Sequence, residues 1–134
     1  MTVREQIDTF LAAKAFGVVG ASPRREKYGN KVLRCYLQNG RRAVPVNPVA
    51  QEIEGVPCVA SVADLPAEVT SISVITPPQV TEKVVEQAIT KGIRHIWMQP
   101  GAESKTAVAK CRENGVNVIA DGSCVLVVLG FKEH

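Results

Sequence analysis

A turn of small residues followed by basic side chains is the stretch whose residue types best suit the binding of a ligand. The sequence Gly20-Ala21-Ser22 follows a short β-branched run, and a helical pattern begins at Gly29. Small side chains at a strand end leave the backbone open to a ligand, and the unpaired N–H groups and dipole of a helix start attract anions. Between the turn and the helix lie Arg24, Arg25 and Lys27. The stretch therefore predicts an anion-binding site.

The composition limits the class of protein and ligand to expect. The chain has 134 residues, of which 46% are hydrophobic and 22% charged, as in an ordinary globular protein. This length predicts a single domain over residues 1–134. The net charge of +3 suits a small anionic ligand and is too weak to indicate a nucleic-acid partner.

The spacing of cysteines and histidines favours neither a metal site nor a catalytic triad. The four cysteines form no C-x-x-C pair, and the histidines are His95 and His134. We therefore expect no metal and no catalytic residues. No apolar run approaches the ~18 residues of a membrane span, and residues 1–14 lack the apolar core of a signal peptide. We expect a cytoplasmic protein with reduced thiols and no membrane partner.

Strand and helix signals alternate along the chain. We expect strands at residues 15–20, 43–46, 71–75, 93–98 and 116–120, and helices at 2–13 (with a capping box), 29–39, 79–91 and 104–114. A turn is expected at Glu54-Gly55, and the apolar tail 124–129 fits either a sixth strand or a closing helical turn. The alternation predicts an α/β fold of the Rossmann-like, three-layer α/β/α type. Its sheet would be mostly parallel, with five or six strands and right-handed crossovers.

The segments that follow the predicted strands share one chemical character. They are rich in Gly, Pro and small polar residues: Gly20-Ala21-Ser22, Asn47-Pro48, Thr76-Pro77-Pro78, Gln99-Pro100-Gly101 and Asp121-Gly122. Ligands of parallel α/β sheets bind in the crevice beyond the carboxyl ends of the strands. We therefore expect the binding site at this edge of the sheet.

The dinucleotide-binding fingerprint is incomplete in this chain. NAD sites use G-x-G-x-x-G and an acidic residue at the end of the second strand. Here Gly17 and Gly20 supply only part of that spacing, and Val46-Asn47-Pro48 carries no carboxylate. A carboxylate would repel a phosphate on the ribose, so its absence beside the basic residues favours a ribose-phosphorylated ligand. NADP and coenzyme A both fit, and nothing in the sequence suggests a hydride-acceptor site for NADP.

Four motifs of the chain resemble those of the CoA-binding domain family. They are Gly17-Val-Val-Gly-Ala-Ser-Pro23, Val44-Pro-Val-Asn-Pro48, Ile96-Trp-Met-Gln-Pro-Gly101 and Val118-Ile-Ala-Asp121. The resemblance extends from about residue 10 to residue 129, with the motifs in the right order. The family includes small stand-alone bacterial and archaeal proteins and the amino-terminal domain of the succinyl-CoA synthetase α subunit. The resemblance implies CoA or an acyl-CoA as the ligand.

The resemblance also implies a role for each strand end. The pyrophosphate would be held by the backbone of Gly20, Ala21 and Ser22, together with the Ser22 hydroxyl. The phosphates, including the one on the ribose, would meet Arg24, Arg25 and Lys27. The adenosine pocket would be lined by Val46, Asn47 and Pro48. The pantetheine path would be flanked by Ile75, Thr76, Pro77 and Pro78, and further along by Gln99, Pro100 and Gly101.

Two segments depart from the family pattern. Stand-alone members often carry Phe-Arg where this chain has Thr76-Pro77, and many carry Asp-Arg-Cys where it has Asp121-Gly122-Ser123-Cys124. Both differences remove an arginine near the thiol end of the ligand. The Thr-Pro-Pro version is closer to the synthetase-type domains, in which the phosphorylated histidine belongs to a following domain.

Five further residues have specific interpretations. We expect His95 to be structural, and Trp97 to belong to the core or an interface. Tyr28 would either close the helix start or stack on an adenine, and Asp121 would either bind ligand or cap the next segment. Cys124 would be a buried thiol or form a mixed disulfide with CoA.

These inferences favour a CoA-binding protein without catalytic apparatus, acting as a carrier, sensor or regulatory module. One alternative is an enzyme, either an NADP-dependent oxidoreductase domain or a detached subunit of an acyl-CoA synthetase. Another is an interaction module whose site is vestigial. A homodimer formed through an exposed sheet edge or helix is compatible with the sequence.

Overall fold

Strands and helices alternate along the chain, as predicted. The computed structural model describes residues 1–133. In chain order the elements are α1 (Val3–Leu11), β1 (Ala15–Val19), α2 (Tyr28–Gln38), β2 (Arg42–Val46), β3 (Glu52–Ile53), β4 (Val56–Pro57), β5 (Val69–Val74), α3 (Pro78–Lys91), β6 (His95–Met98), α4 (Lys105–Glu113), β7 (Asn117–Ile119) and α5 (Val125–Leu129). A short 3₁₀ helix, Val62–Asp64, precedes β5. The prediction of a Rossmann-like α/β fold is confirmed.

Five strands form one parallel sheet in the order β2-β1-β5-β6-β7. β1 lies between β2 and β5, so that Val18 faces Pro45 on one side and Ser73 on the other. From β1 the chain crosses to β2 in one direction, whereas from β5 it crosses to β6 in the other. The strand order therefore reverses between β1 and β5, and such a switch point leaves a crevice in an open α/β sheet.

The two faces of the sheet are covered by cores of different composition. Helices α1, α2 and α5 cover one face, where Phe10, Phe16, Tyr36 and Trp97 are all buried. The rings of Phe16 and Tyr36 stack with their centroids 4.7 Å apart. Helices α3 and α4 cover the other face, whose core is built mainly from Val, Ile, Leu and Ala. Because both faces are covered, all of β1 and residues 71–74 of β5 are buried. The two serines in this part of β5 are hydrogen-bonded: Ser71 donates to the carbonyl of Phe10 at 2.8 Å, and the hydroxyl of Ser73 lies 2.6 Å from that of Tyr36.

The helices begin at residues that the sequence indicates. Thr2 Oγ1 accepts the N–H of Glu5 at 3.2 Å and Glu5 Oε1 accepts the N–H of Thr2 at 3.2 Å, so the predicted capping box is confirmed. Helix α3 begins at Pro78, where the missing proline N–H would have had no partner in the helix. Among the helices of residues 1–133, none combines the length and the apolar character needed to cross a membrane.

The apolar tail forms helix α5 and not a sixth strand. Its β-branched residues suit a strand, but the side-chain Oε1 of Gln99 accepts the N–H of Val125 at 3.0 Å, which satisfies the first amide of a helix. The helix buries Val125 and leaves Val127 81% exposed. The main sheet therefore has five strands. The turn predicted at Glu54-Gly55 joins β3 and β4 as an antiparallel hairpin.

Candidate functional site

A cleft of about 340 Å³ opens at the switch point, beyond the carboxyl ends of β1, β2 and β5. The residues predicted from the sequence that line it are Gly20, Ala21, Val46, Asn47, Pro48 and Thr76. The first three turns of α3 form the facing wall, through Val80, Lys83, Val84 and Gln87. The structure thus brings the ends of these three strands to one concave site.

Two glycines allow the backbone segments around this cleft to touch. Gly20 has a φ of +95°, and a Cβ there would lie 2.2 Å from the carbonyl oxygen of Ile75. A Cβ on Gly29 would lie 2.0 Å from the carbonyl oxygen of Gly20. Gly29 therefore lets the start of α2 rest directly on the turn after β1, the function of the third glycine in the dinucleotide fingerprint. The sequence pattern does not indicate this role, because Gly29 stands outside the spacing of the fingerprint.

The backbone N–H groups at the start of α2, next to this turn, are not occupied by a capping side chain. Lys27 occupies the N-cap position and makes no side-chain cap bond, and the first turn holds no acidic residue. The amino end of a helix carries a partial positive charge that such a residue would normally neutralise. Together with the small residues after β1, this end of α2 is suited to an anion.

The predicted basic residues are largely paired with carboxylates of the chain itself. Arg24 Nε lies 2.8 Å from Glu26 Oε1, and Arg25 Nη1 lies 2.5 Å from Glu54 Oε1. Hydrogen bonds from Asn30 and from Arg25 hold the pKa of Glu54 below its usual range, so its carboxylate is ionised near neutral pH. None of the three predicted cations lines the cleft. Their contact with ligand phosphates stays a prediction.

A buried polar network, missed in the sequence, holds the backbone of the basic loop. Asn30 is fully buried and donates through Nδ2 to the carbonyl of Ser22 at 3.0 Å and to Glu54 at 3.1 Å. Arg34, which is 5% exposed, donates to Asn30 Oδ1 at 2.6 Å and to the carbonyl of Arg25 at 2.8 Å. Polar residues four apart on the otherwise apolar face of α2 were the available signal. These bonds therefore hold the loop backbone at Ser22 and Arg25.

The C-terminal residue of the described chain completes this network. Glu133 accepts from Arg34 Nη2 at 3.3 Å, and its other oxygen lies 3.4 Å from Lys31 Nζ. These contacts fasten the chain end along α2, next to the loop.

Asn47 replaces the acidic residue of NAD sites and ties two loops together. Its Nδ2 donates to the carbonyl of Ala21 at 2.9 Å. Its Oδ1 accepts the N–H groups of Val49 and Ala50, both at 2.8 Å. Both ends of the amide are therefore engaged with backbone. The end of β2 is neutral, as predicted, but its polar side chain serves the loop structure.

The segment after β5 closes one side of the cleft. The N–H of Ile75 donates to the carbonyl of Val19 at 2.8 Å, which fastens the ends of β5 and β1 together. The hydroxyls of Thr76 and buried Thr81 lie 2.8 Å apart. Pro77 and Pro78 then start α3. Thr76 thus faces the cleft at the base of the α3 wall.

The segment after β6 lies outside this cleft. Gln99 is 3% exposed, and its side chain holds helix α5 through the N–H of Val125 and a 3.2 Å contact from Nε2 to Cys124 Sγ. Pro100 and Gly101 are exposed, and the N–H of Gly101 donates to Glu103 at 2.7 Å. The structure does not bring these residues into contact with the cleft, so their predicted role along the pantetheine path stays untested.

Four residues with more than one interpretation from the sequence have defined positions in the structure. Trp97 is fully buried and donates through Nε1 to the carbonyl of Ser123 at 2.9 Å, as expected for a core residue. Asp121 accepts the N–H of Ser123 at 3.1 Å and so stabilises its own turn. Tyr28 is the first residue of α2 and is 63% exposed. Cys124 is a partly buried free thiol.

The imidazole and the buried thiols, the side chains best suited to acid–base or nucleophilic catalysis, do not line the cleft. His95 is at the start of β6, the opposite end of the sheet, where its Nδ1 lies 3.2 Å from Asn117 Nδ2. Burial raises the pKa of the Cys35 and Cys111 thiols to about 11. Within residues 1–133 no cluster of three or more His, Cys, Asp and Glu side chains could hold a metal ion.

Comparison with known proteins identifies a family over most of the chain. The family described as "CoA binding domain" matches residues 14–129. The structure of a hypothetical protein from Pyrococcus horikoshii OT3 is similar with a TM-score of 0.87 and 31% identity, covering 95% of this chain and 89% of that one.

Two curated relatives differ greatly in length. The uncharacterized protein YneT of Bacillus subtilis is 27% identical over 109 residues, which are 81% of each chain. Acetate–CoA ligase [ADP-forming] I of Archaeoglobus fulgidus is 32% identical over 80 residues, which are 60% of this chain and 12% of the ligase. This chain therefore corresponds to a small part of that ligase.

Proposed function

This chain belongs to the CoA binding domain family, and from that premise we propose that it binds coenzyme A or an acyl-CoA in the cleft at the switch point. The observation that carries the proposal is the meeting of three features at one place. These are the small-residue turn after β1, the uncapped start of α2 and the concave space between β2 and α3. The first two suit a pyrophosphate and the third suits an adenosine.

The cleft has an apolar part that suits an adenine ring and a backbone turn that suits a pyrophosphate. On one side, Val46 and Pro48 offer apolar surface, and on the other Val80 and Val84 do the same. A flat adenine ring would lie between them, away from water. The pyrophosphate would then meet the backbone of the turn at Gly20, where an added Cβ would clash with the neighbouring backbone.

The remainder of the ligand would leave the cleft along the segment after β5. Thr76 of this segment lines the cleft, and we propose that Ile75, Pro77 and Pro78 flank the path beyond it. We retain Gln99-Pro100-Gly101 as the far end of the pantetheine path. Neither segment carries a charged residue, so the acyl group is not selected there by an ion pair.

We propose a carrier or regulatory role and not catalysis by this chain alone. The support is the position of His95, at the opposite edge of the sheet, and the raised pKa of Cys35 and Cys111. The relation to an acetate–CoA ligase supports the alternative that the chain acts as one part of a synthetase. Turnover on adding a partner chain would favour that alternative.

Two further properties are proposals of the same kind. A cytoplasmic location is supported by the four cysteines, which are all free thiols in the structure. We also propose a homodimer formed through an exposed sheet edge or a helix, the two edge strands being β2 and β7. Sedimentation at several concentrations would distinguish monomer from dimer.

Calorimetric titration of the purified chain with CoA, NAD and NADP tests the proposed function. Binding of CoA with a Kd in the tens of micromolar or tighter, and weaker binding of both dinucleotides, is the expected result. Binding of NADP alone would overturn the proposal in favour of an oxidoreductase domain. A failure to bind any of the three ligands would also overturn it.

A further inference from the structure

We propose that Lys83 on α3, and not the arginine-rich loop after β1, recognises the phosphate on the ribose of the ligand. The inference rests on the proposed function and deepens it, because it names the residue that distinguishes CoA from dephospho-CoA. The family resemblance implied that Arg24, Arg25 and Lys27 would meet that phosphate. The structure provides a different cation.

Lys83 stands in the wall of the cleft itself. Among the described residues that line this space, it is the only one with a charged side chain. Val80, Lys83, Val84 and Gln87 are spaced three, four and seven residues apart, so they form one stripe along α3 facing the ends of β1 and β2. The valines make the apolar part of the wall, and Lys83 and Gln87 add polar groups to it.

The ammonium group of Lys83 is not neutralised by the chain. Within the part of the chain that the structure describes, Lys83 makes no ion pair. Its neighbour Glu82 accepts a hydrogen bond from Ser104 at 2.6 Å, and Glu86 lines a different cavity beside Ala63. Lys83 therefore has no carboxylate partner among residues 1–133 that would compete with a ligand phosphate.

Two of the three loop cations lack this freedom, and the third, Lys27, makes no ion pair within residues 1–133 but does not line the cleft. Arg24 is paired with Glu26 at 2.8 Å, and Arg25 with Glu54 at 2.5 Å. Each pair is close to neutral, so a phosphate brought near it would gain little attraction and would meet a carboxylate as well. An additional negative charge beside Glu54 is unfavourable.

The end of β2 has no free polar side chain that would bind the ribose phosphate. Both ends of the Asn47 amide are engaged with backbone groups, and Val46 and Pro48 are apolar. A ribose seated there would face α3 across the cleft. A flexible lysine can reach a phosphate from that wall as a point charge, and Lys83 is the cation placed to do so.

The test compares CoA with dephospho-CoA, which differ only in this phosphate. The Kd of each would be measured by calorimetry for the wild type, Lys83→Gln and Lys83→Arg. We expect the wild type to prefer CoA about tenfold, or about 1.4 kcal/mol. Lys83→Gln should remove this preference by weakening CoA alone, and Lys83→Arg should retain it.

Two control variants make the outcome specific. Lys91→Gln removes a lysine from the same helix, two turns further along, where it lines the cavity beside Ala63. It should leave the preference unchanged, as should Arg24→Gln. If Arg24→Gln removes the preference and Lys83→Gln does not, the loop reads the phosphate and the inference is overturned.

The affinities of the wild type for CoA and dephospho-CoA distinguish a failure of this inference from a failure of the proposed function. Equal binding of CoA and dephospho-CoA would overturn the role of Lys83 and leave CoA binding intact. If neither compound binds, the proposed function fails, and the inference fails with it.

Discussion

The two walls of the cleft differ in what they supply to a ligand. The wall here called the loop wall comprises residues 20–27 and the start of α2, and it meets the cleft at Gly20 and Ala21. Its backbone is held by hydrogen bonds from Asn30 and Arg34, and its two arginines are already paired. The wall formed by residues 80–87 of α3, here called the helix wall, is apolar except for its polar edge and holds an unpaired lysine. One wall thus provides shape and backbone N–H groups, and the other provides apolar surface and net charge.

The difference shows why a run of basic residues is an unreliable guide to a phosphate site. Arginines on a loop acquire carboxylate partners when the chain folds, and exposed pairs of this kind contribute little to stability. Their effect here is on geometry and local charge. Arg25 links the loop to the β3–β4 hairpin through Glu54. The buried guanidinium of Arg34 holds the loop backbone through its hydrogen bond to the carbonyl of Arg25.

Replacing Gly29 by alanine should have the largest effect, because it breaks the shape of the loop wall. The added Cβ would lie 2.0 Å from the carbonyl oxygen of Gly20, so backbone has to move. We expect the free energy of unfolding to fall by about 3 kcal/mol and CoA binding to weaken. Chemical denaturation with urea measures the first effect, and calorimetry the second.

Gly40→Ala is the matched control for this variant. Gly40 has a φ of +70° but open space around its Cα, so the cost there is that of backbone conformation alone, about 1 kcal/mol. Equal destabilisation by both variants would show that the contact between Gly29 and Gly20 is unimportant.

Ser22→Asp should break the anion site of the loop wall without unfolding it. The Ser22 hydroxyl accepts the N–H of Arg24 at 3.1 Å, and an aspartate can accept the same bond in an Asx turn. Its charge would repel the pyrophosphate, and we expect CoA to bind about 100-fold more weakly. Ser22→Asn makes the same turn without the charge and should bind CoA within a few-fold of the wild type. Comparable loss in both variants would mean that the charge is not the cause.

Glu54→Gln should make the two walls more alike, because it removes the carboxylate beside Arg25. We expect CoA to bind about threefold more tightly, the scale of a partly exposed ion pair. Glu52→Gln, in the same hairpin, removes a charge that makes no ion pair within residues 1–133 and should not change the affinity. Weaker binding in Glu54→Gln would indicate that Glu54 positions Arg25 for the ligand.

The same carboxylate should make stability depend on pH. The pKa of Glu54 is lowered in the folded protein, chiefly by the hydrogen bond from Asn30, so its stabilising effect is present above the ordinary value of 4.5. That effect is lost as the pH falls through the lowered pKa. The wild type should therefore lose more stability than Glu54→Gln between about pH 6 and pH 3, measured by thermal denaturation. A constant difference between the two proteins across this range would contradict the assignment.

Arg24→Gln should have the smallest effect. Its guanidinium and its partner Glu26 are both exposed, so we expect CoA affinity to change by less than about twofold. A tenfold loss of CoA affinity would show that the loop wall binds the phosphate, and the contrast between the two walls would then be wrong.

Much of the architecture is determined by local patterns in the sequence. The apolar strands separated by helical periods predict a parallel sheet, and the capping box at Thr2 and Glu5 places the first helix. The small residues at 20–22 and the neutral end of β2 also indicate where a ligand would bind and what charge that end would carry. These features depend on neighbouring residues, so their consequences can be inferred without the fold.

The tertiary structure decided which side chains face the cleft and which are engaged elsewhere. Arg25 meets Glu54, 29 residues away, and Gln99 turns inward to start α5. Gly29 packs on Gly20, and Lys83 comes to the cleft because α3 folds back across the switch point. The sequence specifies the type and order of these residues. Their partners depend on how distant segments pack, and only the folded chain brings those segments together.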